Sequence, residues 1–141
     1  MLSWQVWAVG AAVFAALTAV FAKLGVSEMP ADMATLLRTA VIFVLLAAIV
    51  AVTGQWVSPR ALSGRGAAFL VLSGLATGAS WLCYFRALKL GDAARVAPID
   101  KLSVVLVAIF GAVFLGERLT GVHWAGVAMI AGGALLLAMR G

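Results

Sequence analysis

Apolar residues fall in five long blocks, at about 4–22, 31–53, 66–88, 94–116 and 121–139. Each is close to the ~20 residues that a helix needs to cross a hydrocarbon core. The polar residues gather between the blocks. Lys23 ends the first block, Pro30 precedes the second, and Asp32 and Asp92 stand where they can cap the second and fourth. Trp4 and Trp7 suit the aromatic belt at a membrane interface. The longest connection, GQWVSPRALSGR at about 54–65, carries Gly, Pro and Ser turn signals. The pattern predicts an all-α polytopic membrane protein: one five-helix transmembrane domain over residues 1–141, its N-terminus being the first span and not a cleaved signal.

Composition strengthens this picture. Hydrophobic residues make up 65% of the chain and charged ones 11%, against about a quarter charged in ordinary soluble domains. The net charge of +5 does not point to nucleic acid, because the basic residues sit mostly at helix ends, where they meet lipid headgroups. Cys83 is the one cysteine, in an apolar helix, and reads as packing. Phosphate-binding loop, HExxH, cysteine cluster and GxSxG are all missing, so no enzyme is expected and no cofactor. His123 has no metal-ligand partner at a sensible spacing and reads as a headgroup contact.

Orientation follows from the basic residues. Arg60, Arg65 and Arg118 lie on the side of the N-terminus; Lys23, Arg86, Lys89, Arg95 and Arg140 lie on the other. The positive-inside rule puts the C-terminus in the cytoplasm. The bias is slender, as it is in a protein that inserts both ways up.

Charges also occur inside the spans. Arg38 lies seven residues into the second span, roughly 10 Å deep at 1.5 Å per residue. Asp100 and Lys101 follow Pro98 in the fourth, at similar depth on the same side. Trp81, Tyr84 and Arg86 of the third span enter the same slab. Charge at bilayer depth costs about 2.5–3.5 kcal/mol per residue on insertion scales, so it faces a protein interior or a water-filled cavity. Neighbours on a regular helix do not face each other. Asp100 is therefore expected to pair with Arg38, or with a Lys101 of another chain, and not with its own neighbour. Structural readings stand beside the functional ones. Arg38 can snorkel to the interface, Asp100 and Lys101 can fix helix register, and Trp81 and Tyr84 can be packing. Pro98 is either a first-turn proline or a hinge.

Small residues recur at packing spacing: Gly74 and Gly78 in the third span, and Gly126, Ala128, Gly132 and Gly133 in the fifth. Packing within one chain and packing between chains account for them equally well; of the spans, the last helix is the better candidate for a dimer seam.

Three stretches carry a family resemblance: WLCYFRALKLG at 81–91, VAPIDKLS at 96–103 and LGERL at 115–119. In this order they resemble the EamA-type branch of the drug/metabolite transporter superfamily, in its single-repeat, five-helix form. The resemblance covers essentially the whole chain. It implies a secondary transporter of small metabolites or related solutes in a bacterial inner membrane. It also implies that the chain is one half of an inverted-repeat transporter, completed by a homodimer. An antiparallel dimer is compatible with the slender charge bias. On this reading Asp100 serves substrate or coupling ion, Lys101 and Arg38 balance charge or bind an anionic group, Trp81 and Tyr84 line the path, and Pro98 bends. The related four-helix multidrug exporters carry a membrane glutamate eight residues before a lysine; counting back from Lys23 gives Ala15. A tryptophan of their drug chamber aligns with Asp100. A cation exporter of that kind, and a non-transporting assembly subunit, are the alternatives.

Overall fold

The computed structural model describes residues 3–58 and 61–139. Arg60 and Arg140, which count toward orientation, lie outside the described residues. The described chain is α-helical, without strands: α1 Trp4–Ser27, α2 Ala31–Thr53, α3 Gly64–Leu90, α4 Ala93–Asp100, α5 Ser103–Phe114 and α6 Gly121–Ala138. Five segments are long and apolar enough to cross a membrane, with Ala93–Phe114 acting as one span made of α4 and α5. Large apolar side chains such as Phe43, Val52, Leu75 and Phe114 stand exposed on them. That is the surface of a protein whose solvent is lipid.

The chain forms two compact units, one of residues 21–89 and one of residues 1–20 with 90–141. In the first, the core sits where α1 ends, α2 begins and α3 ends. Val26, Phe85 and Leu88 are buried there, with Ala22, Ala34 and Thr35. Ala34 and Thr35 are small enough for helices to approach closely. The Thr35 hydroxyl donates to the Ala31 carbonyl at 2.9 Å, so no polar group is stranded. Two lysines then tie α1 to α3 reciprocally. Lys23 Nζ donates to the Leu88 carbonyl near the end of α3 at 2.7 Å. Lys89 Nζ donates to the carbonyls of Val26 at 2.7 Å, Ser27 at 3.3 Å and Met29 at 3.1 Å, around the end of α1. Each cation thus meets the negative end of the other helix. α1 continues past Lys23 to Ser27, so the lysine lies within the helix and ties it to α3.

In the other unit α6 packs back on α4 and α5, burying Gly111 and Ala134. A left-handed Gly116, φ 69°, turns the chain out of α5, and the Glu117 N–H returns to the Gly111 carbonyl at 3.0 Å. Thr120 and His123 close a capping box at the start of α6: the Thr120 N–H donates to His123 Nδ1 at 3.2 Å, and the His123 N–H to Thr120 Oγ1 at 3.5 Å. His123, expected at a headgroup, therefore has a local structural role.

Candidate functional site

The regular α-helix of the fourth span is interrupted by a tighter turn, with Lys101 and Leu102 still in right-handed helical conformation. α4 stops at Asp100, and α5 resumes at Ser103. Pro98 lies inside α4, beyond its first turn. Lacking an N–H, it cannot donate to the Ala94 carbonyl. Tighter bonds bridge the gap: Lys101 N–H is shared between Ala97 O at 3.2 Å and Pro98 O at 3.1 Å, Leu102 N–H goes to Ile99 O at 3.0 Å and Val104 N–H to Lys101 O at 3.0 Å. These are 3₁₀-type links, poorer in geometry than α-helical ones and common at functional hinges.

The break overturns one expectation. Asp100 and Lys101 do pair with each other, Lys101 Nζ to Asp100 Oδ2 at 3.0 Å. On a regular helix adjacent side chains diverge; at a helix end the next side chain can fold back. Asp100 keeps about a third of its side chain exposed and Lys101 just over half. The pair is internally neutralised yet reachable.

Arg38 and Trp81 meet in the other unit. Two residues place Arg38: Ala34 and Thr35 share its stripe of α2, and both are buried. On α3, Trp81, Phe85 and Leu88 share a stripe in the same way. The Arg38 guanidinium carbon sits 4.2 Å from the Trp81 ring centroid and 5.5 Å from that of Phe85. Tyr84 packs edge-to-face on Phe85, centroids 6.4 Å apart. Phe85 is the member of this cluster that sequence reasoning misses. Its signal was available, one turn from Trp81 at i+4.

A second feature missed in the sequence lies nearer the helix ends. Arg86 holds Asp32 in a bidentate pair, Nε to Oδ1 at 3.0 Å and Nη2 to Oδ2 at 2.9 Å. Asp32 thus acts between helices and makes no capping bond to α2. Asp92 occupies the N-cap position of α4, also without a side-chain capping bond. Among the described residues no group of three or more His, Cys, Asp or Glu could hold a metal. Gly126, Gly132 and Gly133 meet no neighbouring atom where a Cβ would stand, so this face of α6 is open.

Ionisable side chains within an apolar span are rare and mark solute or ion paths; the comparisons with known proteins give the family. Residues 2–139 match the EamA-like transporter family. The chain belongs to that family. A relative from Sinorhizobium sp., described as "Uncharacterized transporter in cobO 3'region", is 68% identical over 137 residues, which is 97% of each chain. No solved structure matches. The protein is a multi-pass membrane transporter of the EamA-like family, and the drug/metabolite transporter superfamily fits it.

Proposed function

We propose that this EamA-like protein is a secondary transporter of small metabolites or related solutes in a bacterial inner membrane, working by alternating access as a homodimer. The observation that carries the reading is the interruption at residues 101–102 with the Asp100–Lys101 pair beside it. Secondary transporters hold substrate near the midplane, at discontinuous helices, and move by rocking one repeat against another. One five-helix repeat needs a second copy to complete such a site. In this reading Asp100 meets the substrate or the coupling ion, and Lys101 releases it by turning its flexible stem aside. Pro98 keeps the joint compliant. Arg38, Trp81 and Tyr84 line the path.

The test is uptake into proteoliposomes across amino acids, amines, organic acids and cationic drugs, with and without an imposed proton gradient. Gradient-driven uptake is expected in the native protein, falling to the level of empty liposomes in folded Asp100→Asn. Uptake that equilibrates under every gradient would make the protein a passive channel. One observation favours a second reading, an assembly subunit: Asp100 is already neutralised by its neighbour. On that reading Asp100→Asn changes stability, and no solute in the panel moves. A proton-coupled cation exporter is less well supported, since Ala15 stands where that branch has its glutamate.

A further inference from the structure

The basic side chains of residues 21–89 differ in what they hold. Lys23 and Lys89 donate to helix carbonyls, and Arg86 to a carboxylate. Arg65 lies 5.9 Å from the Phe69 centroid in the first turn of α3, within reach of interfacial water. Arg38 is deeper, seven residues into α2; it has aromatic faces and Tyr84 beside it, and among the described residues it pairs with no carboxylate. Contact with a ring face stabilises the cation without using its N–H groups. The guanidinium therefore keeps donors available, in the fork geometry that fits a carboxylate or phosphate with two parallel bonds. The rings also hold the fork in place, which lowers the entropy lost on binding.

We propose that Arg38, backed by Trp81 and Phe85, is an oxyanion-binding station, and that the transported substrates are small organic anions. This rests on the transporter reading and narrows it: of the solutes that a site with both signs of charge can accept, it selects those with a carboxylate or a phosphate. A lipid headgroup phosphate has the same chemistry, so the test must separate the two sources.

The experiment measures equilibrium binding of radiolabelled benzoate and phenyl phosphate to the full chain in lipid-free detergent, against benzylamine and benzyl alcohol. Uptake is measured in parallel. The anions are expected to bind and the matched amine and alcohol not. Arg38→Gln should weaken anion binding roughly 10- to 100-fold, the range for losing charge-assisted bonds. Arg38→Lys, which keeps the charge without the fork, should fall between. Arg65→Gln is the control and should bind as the native protein does. Monodisperse elution of each variant shows that it is folded. Preference for benzylamine, or equal binding in folded Arg38→Gln, would overturn the proposal. So would benzoate affinity that rises in Asp100→Asn, because Arg38 would then already have a resident carboxylate. Retention of added phosphatidylglycerol through Arg38, without benzoate binding, would overturn the substrate assignment in favour of a lipid. The two readings fail separately. Uptake of a cation unaffected by Arg38→Gln sinks the station and leaves the transporter; anion binding without uptake of any solute sinks the transporter and leaves the station.

Discussion

Two ion pairs show how position sets the role of a charged residue. Asp32–Arg86 is bidentate, but both side chains are about 60% exposed and close to helix ends. Such pairs contribute little and are screened by salt. Asp100–Lys101 is a single contact on adjacent residues, at the break in an apolar span. Removing one member leaves a charge with no partner where water is scarce, which costs far more than removing both. Lys101→Met is therefore expected to destabilise the protein by about 1–3 kcal/mol, less than for a fully buried pair because Asp100 is partly exposed. Asp100→Asn combined with Lys101→Met should restore most of that loss. Thermal unfolding of detergent-solubilised protein, followed by monodispersity after heating, checks both. A double variant no more stable than Lys101→Met would show that the pair does not couple. Arg38 marks the limit of what its position could reveal. Its depth was legible by counting residues along α2; its neighbours were not, because a cation–aromatic contact depends on which stripes of α2 and α3 meet.

At the scale of elements, the apolar blocks were readable because every backbone group in a bilayer must be satisfied within a helix. The break between α4 and α5 was not. Lys101 and Leu102 are good helix formers, and a hydropathy window averages across two residues without registering them. Pro98 was the visible sign, ambiguous until α4 could be seen to start at Ala93 and end at Asp100. The lysine exchange between α1 and α3 was hidden for another reason: basic residues at helix ends read as headgroup contacts, and their reach to carbonyls on a different helix is a tertiary fact. The interrupted span has a kinetic consequence. Pro98→Ala allows the missing α-helical bond to form and stiffens the joint. Where a conformational step limits turnover, stiffening it slows transport and spares binding. Pro98→Ala is expected to lower maximal uptake rate about tenfold, a barrier change of about 1.4 kcal/mol, with half-saturation within about twofold. Uptake at the native rate would show that the joint does not move.

At the scale of the whole molecule, the proposed homodimer makes two linked predictions. The first concerns the open face of α6. Gly132 has nothing within 4 Å of the place where a Cβ would stand, so Gly132→Leu should fold as a single chain. If α6 forms the seam, the same change pushes partner helices apart and shifts cross-linked dimer to monomer. The second concerns orientation. Five basic residues lie on one side of the spans and three on the other, a margin that charge changes in short loops can reverse. An antiparallel dimer requires both orientations in one membrane, so C-terminal fusions to a cytoplasm-active and a periplasm-active reporter should both be active. Arg65→Ala with Arg118→Ala strengthens the existing bias. Ser3→Arg, Gln55→Arg, Val57→Arg and Ser58→Arg with Arg95→Ala and Arg140→Ala, seven against three, reverses it as strongly. Each set alone should fix one orientation and abolish uptake, and co-expression of the two should restore it, since each supplies the half that the other lacks. One fixed-orientation set transporting at the native rate would rule out the antiparallel arrangement and leave a parallel pair. Failure of co-expression to rescue, with both proteins inserted as designed, would count against a dimer built from opposed copies of this chain.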